Sequence, residues 1–464
     1  MTGTVAASHF CADGRGVKPF FIYICVNLAT FNSGGLSAPG KNILVVSLKI
    51  RLSVLFFLQF ATWGSYLTSM GNYLASVSIG DSIGYFYSIQ GIVSIFMPTL
   101  FGILADRKIE AQRLLGISHI VAALLMFAEF AVCTTAEHVD FATAFPLYAL
   151  SVAFYMPTLG LSNSVSYTAM QGSGLDKVAD FPRIRIFGTV GFIVAMWIVD
   201  LMGFQQTPVQ FLVSGIWGLA LGAYSFSMPH CPVKQADDSR SFAERMGLDA
   251  FRLMKSPRMF LFFFFSMMLG MALQVTNGYA SPFIASFANL PEYADAYFAQ
   301  HANLLYSLSQ VSETLCILLI PFFLKRYGIK VVMLISMTAW VLRFGFFGIG
   351  SPEMPGIIAL VLSMIVYGVA FDFFNISGSL FVDGEVEPSM RSSAQGLFML
   401  MTNGLGAAIG TTAAQAVVNH FVYSQTDAAA QMAGWRESWL IFAAYALVVA
   451  VAFFFCFKGK KAEA

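Results

Sequence analysis

The sequence predicts an all-α integral membrane protein, with twelve transmembrane helices arranged as two pseudo-symmetric six-helix bundles. Three observations predict it. Of 464 residues, 57% are hydrophobic and only 11% charged, far more apolar material than a soluble core of this size needs. Twelve apolar segments follow one another at about 50–73, 83–104, 114–134, 141–169, 184–204, 208–228, 258–287, 298–324, 331–349, 356–382, 393–419 and 436–457, each taken as a helix crossing the ~30 Å hydrocarbon layer. The loops between them alternate in charge, as the positive-inside rule requires of a multi-pass chain.

One set of loops holds Lys49 and Arg51; Arg107, Lys108 and Arg113; Lys177 and Arg183; Lys234 through Arg258; Lys325, Arg326 and Lys330; Arg391; and Lys458, Lys460 and Lys461. The opposite set, around Asp81, Glu137, Asp140, Gln205, Glu292, Asp295, Glu353 and Asp427, contains a single basic residue, Arg436. Both termini are therefore expected in the cytoplasm. The expected organisation is an N-terminal extension (1–47), a first bundle (48–228), a cytoplasmic central loop (229–257), a second bundle (258–458) and a cytoplasmic tail (459–464).

The extension reads as a disordered tail or an over-long gene start. Phe20 to Phe31 behind Lys18 has the look of a secretory signal, but it is too short to span. A cleaved signal would also start the first helix outside, against the charge bias. In the central loop, Phe242 to Met254 places apolar residues at helical spacing among charges and is expected to lie along the membrane surface. The two halves also repeat weakly: the offset that carries Tyr87-Ser88 onto Tyr306-Ser307 carries Asp106-Arg107 onto Lys325-Arg326.

Several functions are excluded by composition. The six cysteines (Cys11, Cys25, Cys133, Cys231, Cys316, Cys456) form no CxxC pair and the six histidines are scattered, so neither a disulfide framework nor a metal site is indicated. The net charge of +1 is sorted by loop and makes no basic patch for nucleic acid. There is no HExxH, no GxSxG and no histidine paired with a nucleophile, so the chain is not read as an enzyme and no cofactor is expected.

After the second segment stands Gly102-Ile-Leu-Ala-Asp-Arg107, followed by Lys108 and Arg113. Gly102 permits close helix approach, and Asp106 with Arg107 and its basic neighbours can form a charge cluster that breaks and reforms as two halves rock. The alternative is plain membrane-edge charge. The motif resembles the loop 2–3 motif of the major facilitator superfamily, although its run of basic residues is thin. The second-half copy, Pro321-Phe-Phe-Leu-Lys-Arg326, lacks the Gly and the Asp.

Within the spans, polar side chains recur at one-turn spacing, where residues i, i+3 and i+4 share a face. Arg185, Thr189 and Phe192 lie on one segment, Gln274 and Asn277 on another, Gln310 and Glu313 on a third, and Tyr367, Phe371 and Asp372 on a fourth. Simple interhelical hydrogen bonding does not require four such faces. A carboxylate in mid-membrane, as Asp372 is, costs roughly 2.5–3.5 kcal/mol on insertion scales and by default marks a functional site. Amides and carboxylates suit a ligand with hydroxyls and a hydrogen-bonding heterocycle, Glu313 accepting from a vicinal hydroxyl pair, while Phe192, Tyr367 and Phe371 could stack on a flat ring. Arg343, in the preceding segment, is the expected partner of Asp372, as a functional pair or as a permanent buried ion pair.

The stretches Tyr155-Met-Pro-Thr-Leu-Gly160, Asp180-Phe-Pro-Arg-Ile-Arg-Ile-Phe-Gly-Thr-Val-Gly-Phe192, Ser309-Gln-Val-Ser-Glu-Thr-Leu315 and Ser363-Met-Ile-Val-Tyr-Gly-Val-Ala-Phe-Asp-Phe-Phe-Asn-Ile-Ser-Gly378 closely resemble the bacterial nucleoside-proton symporters, a branch of the major facilitator superfamily. The likeness runs over about 48–458. It implies the major facilitator fold, an inner-membrane location and a monomer. It also implies a central cavity that binds a ribonucleoside and alternates its opening. By the same resemblance Arg185, Thr189, Phe192, Gln274, Asn277, Gln310, Glu313, Tyr367 and Phe371 would line the nucleoside site, and Asp372 would carry the co-transported proton. In the expected cycle Asp372, or alternatively Glu313, is protonated from outside, nucleoside binds, and the neutralised site closes and reopens inward, because occluding a bare carboxylate is costly. A proton-coupled sugar symporter and a membrane sensor that binds without transporting are the competing readings.

Overall fold

The computed structural model describes residues 39–173, 175–233, 248–387 and 390–457. Lipid offers the backbone no hydrogen-bond partner, so apolar stretches of this length satisfy their own amides as helices. Twelve spans follow in order: span 1 Pro39–Gly64 with a short continuation Met70–Ser76, span 2 Ile83–Arg107, span 3 Ala111–Thr135, span 4 Phe141–Ser173, span 5 Lys177–Leu201, span 6 Val209–Ser225, span 7 Pro257–Ser286, span 8 Ala302–Cys316 running on to residue 327, span 9 at 329–349, span 10 Gly356–Glu385, span 11 from Arg391–Met399 to Ala407–Val418, and span 12 Ala428–Cys456. Spans 8 and 9 are divided at Gly328, whose φ of 74° is a left-handed conformation that an L side chain resists.

Two details depart from the sequence reading. Span 1 begins at Pro39, upstream of the expected start, and is interrupted after Gly64, where Ser65 Oγ and Ser69 Oγ bond back to the carbonyls of Ala61 and Ser65 at 2.8 and 3.3 Å. Most of the expected amphipathic segment lies outside the described residues, and its end is a 3-10 helix, Leu248–Lys255, with Ala250 buried and Phe251 exposed.

Glycine sets the packing. Spans 1 and 5 lie backbone to backbone, with Gly191 against Phe57 and Gly64 against Phe192, and spans 7 and 11 repeat the arrangement, with Gly270 against Thr402 and Gly410 against Met271. These two helix pairs occupy corresponding positions in the two halves. Between the halves, span 2 crosses span 11 at Gly91, where an added Cβ would stand 2.8 Å from both the Gly404 carbonyl oxygen and Ala407.

The Tyr-Ser repeat lies on the seams between halves. Ser88 Oγ donates to the Ala408 carbonyl of span 11 at 3.3 Å, and Ser307 Oγ accepts from Trp197 Nε1 of span 5 at 2.9 Å. Tyr87 donates to the Leu67 carbonyl beside span 1, and Tyr306 donates to Asn277 Oδ1 of span 7 at 3.2 Å. The paired tyrosines therefore tether corresponding helices.

Hydrogen bonds join the halves toward the end opposite the basic loops. Asp200 of span 5 accepts from the Leu304 amide at 2.8 Å and from His301, capping the start of span 8. Gln205 donates to the Gln300 carbonyl at 3.1 Å, and Asn72 donates to Ser281 Oγ at 3.0 Å. On the other seam Gln415 accepts from the Gly84 amide and donates to the Gly80 carbonyl at 3.2 Å, while Asn419 donates to the Asp81 carbonyl at 3.1 Å. Toward the basic end Gly102 and Gly396, farther along the same spans 2 and 11, have open space where a Cβ would stand. The halves meet at one end and part toward the other.

Candidate functional site

The four polar faces converge where spans 5, 7, 8 and 10 surround the gap between the halves. On span 5, Arg185 lies with its guanidinium 3.9 Å from the Phe60 ring centroid, and Thr189 and Phe192 follow at one-turn intervals. Phe192 is buried edge-on to Trp63, whose Nε1 donates to Gln90 Oε1 at 3.3 Å. Across the gap Glu313 of span 8 lies within electrostatic reach of Arg185, so a cation of one half faces an anion of the other. Arg185, Thr189, Gln310 and Glu313 are half-buried, and among the described residues their side chains make no hydrogen bond of their own. Their donors and acceptors are free for a ligand.

Span 7 adds a chain of amides: Tyr306 donates to Asn277 Oδ1, and Asn277 Nδ2 donates to Gln274 Oε1 at 3.3 Å. On span 10 the rings of Tyr367 and Phe371 lie parallel, with centroids 5.9 Å apart and planes within 8°. Two near-parallel rings one turn apart make an aromatic wall on which a flat ligand can stack.

Asp372 stands beside that wall but is only 4% exposed, and its Oδ2 has no hydrogen-bond partner. Its electrostatic neighbours include Glu313 and Cys316 of span 8, and Gly368 brings spans 8 and 10 together at Ser312 and Cys316. The expected pairing of Asp372 with Arg343 is not formed. Arg343 is fully buried and donates from Nη1 to the Ser363 carbonyl at 2.7 Å and to Ser309 Oγ at 3.3 Å, with its guanidinium 4.5 Å from the Tyr367 ring. The reason is register. Spans 9 and 10 run antiparallel, and Ser336, two turns from Arg343, is the residue that bonds the Ala370 carbonyl. At 1.5 Å per residue this leaves Asp372 about 13 Å along the axis from the level of Ser363.

The sequence reading named neither Trp63 and Gln90 nor Glu129. Trp63 and Gln90 carry only the weak signal of a polar group in an apolar run. Glu129, fully buried on span 3, carries the stronger signal of an acid within a membrane segment. Of the gating motif, Gly102 is placed at the open end, while the side chain of Asp106 lies outside the described residues. Among the described residues no cluster of His, Cys, Asp and Glu could hold a metal ion.

Comparison with known proteins gives this architecture its family. Residues 46–462 match the family model described as Nucleoside H+ symporter. The chain belongs to the nucleoside H+ symporter family. It is 47% identical over 418 residues to the nucleoside permease NupG of Escherichia coli (strain K12), covering 89% of this chain and 97% of that protein. It is also 47% identical over 415 residues to the xanthosine permease of the same organism, covering 89% and 96%. A crystal structure of the nucleoside transporter NupG superposes with a TM-score of 0.81 at 46% identity, covering 89% of this chain and all of that one. A bacterial homolog of the lysosomal transporter Spinster, at 12% identity and a TM-score of 0.62 over 91% and 98% of the two chains, shares the fold alone. Members of this symporter family carry solute by alternating access.

Proposed function

We propose that the protein imports ribonucleosides across the cytoplasmic membrane by proton symport, binding them in the gap between the halves. The observation that carries this reading is the convergence of four polar faces, with free hydrogen-bonding groups, around a buried acid that lacks a counter-charge. In this reading the base stacks on Tyr367 and Phe371 with Phe192 opposite, Gln274 and Asn277 bond its edge, and Glu313 accepts from the ribose hydroxyls. Arg185, Thr189 and Gln310 complete the ring of contacts. Arg185 and Glu313 face each other across the gap, and a nucleoside inserted between them exchanges that attraction for contacts with both halves.

Asp372 takes the proton. An unpaired carboxylate sealed from water costs several kcal/mol more than the neutral acid, so the site closes readily only after protonation. The membrane potential adds ~2.3 kcal/mol per charge per 100 mV, which makes uptake concentrative. With the basic loops cytoplasmic and both termini inside, the present conformation is inward-facing, and Gly102, Asp106 and Arg107 would form part of the gate that closes that side. The protein acts as a monomer whose co-substrate is the proton.

The test is nucleoside counterflow and pH-driven accumulation in proteoliposomes. Asp372→Asn is expected to abolish accumulation driven by a pH gradient while counterflow of labelled uridine persists. Full accumulation by the variant would refute the assignment. Excess sugar that competes with uridine would favour a sugar symporter over this reading, which the aromatic wall argues against.

A further inference from the structure

We propose that Glu129 is a second proton-binding acid, built into the N-terminal half and separate from Asp372. Glu129 is 0% exposed on span 3, Cys133 one turn along donates to its Oε1 at 3.6 Å, and its Oε2 has no partner. Among the described residues, the titratable groups that face it carry no positive charge. The short helix Met70–Ser76 brings Tyr73, span 4 brings Tyr148, and span 6 contains one titratable residue, Tyr224, at its far end. A bare carboxylate in such a place would lose its hydration for little more than a weak thiol donor and no counter-charge, so the acid keeps its proton.

The position suggests when that proton exchanges. Tyr73 is buried beside Cys133 and Glu129, and it rides on the segment that seals the halves, where Gly71 packs on Pro282 and Asn72 bonds Ser281. Opening that end draws Met70–Ser76 away from span 7 and uncovers Tyr73, the ring beside the acid, to the outer solution, so that the proton of Glu129 exchanges there. The exchange step rests on the proton-symport reading; the protonated acid itself does not.

Dicyclohexylcarbodiimide separates the two. It adds across the O–H of a protonated carboxylic acid in apolar surroundings and rearranges to a stable N-acylurea with no leaving group. In the full-length protein near neutral pH, peptide mass measurement should find the adduct on Glu129 in both wild type and Asp372→Asn. Infrared spectra should show a protonated-carboxyl band that is lost in Glu129→Gln and retained in Asp372→Asn. In proteoliposomes Glu129→Gln should take up fewer protons per nucleoside while counterflow persists. Glu129 left unmodified while Asp372 is modified, or a carboxyl band unchanged by Glu129→Gln, would overturn the proposal. The wild-type adduct gives the answer even where Glu129→Gln does not fold, and it is read whether or not Asp372 couples transport to protons.

Discussion

The two ends of the molecule use the same kinds of side chain in opposite ways. At the basic end Lys49 pairs with Asp180 at 2.8 Å, Arg258 with Glu385 at 3.4 Å and Arg391 with Asp383 at 3.3 Å, each of these pairs inside one half. At the far end the polar bonds run from half to half, and Asp200, fully buried, caps a helix of the other bundle. The former hold each bundle to its own shape. The latter must be made and broken in every cycle, so their strength sets the balance between the two openings.

That contrast can be broken in three places. Asp200→Ala should have the largest effect, because it strips a charged acceptor from the Leu304 amide and from His301. Hydrogen bonds to charged groups are worth roughly 1.5–3 kcal/mol, a shift of about ten-fold or more toward opening of that end. Distances between spin labels at Gln206 and Glu292 should lengthen accordingly; an unchanged distribution would mean the cap does not hold the seal. Gln415→Ala removes two neutral bonds between the halves, to Gly84 and Gly80, each worth ~1 kcal/mol. A smaller shift of the same kind is expected, read by the same labels. Lys49→Gln should leave those distances alone and lower thermal stability by about 1 kcal/mol, since its part-buried ion pair lies within one half. Were it to move the labels as far as Asp200→Ala does, the distinction between the ends would fail.

Much of this was legible in the sequence because membrane helices announce themselves by length and polar faces by spacing. Periodicity alone puts Arg185, Thr189 and Phe192 on one stripe, and the Tyr-Ser repeat relates the two halves, while its place on the seams comes from the structure. Periodicity reports a side chain's direction around its helix, however, and says nothing of its level against a neighbour. That is why Arg343 and Asp372 read as partners although the antiparallel register of spans 9 and 10 gives Arg343 to Ser363. The cap at Asp200 was illegible for a related reason: its partners are a backbone amide and a histidine far along the chain, joined only by the docking of the halves.

The crossing of spans 2 and 11 at Gly91 and Gly404 brings main chain against main chain where most helices interlock through side chains. Such a contact has few teeth to disengage, so it can serve as a smooth fulcrum about which two stiff levers tilt. Fitting it with a bulky residue such as valine at position 91 should jam the swing while sparing each lever, leaving a carrier that is assembled but stalled.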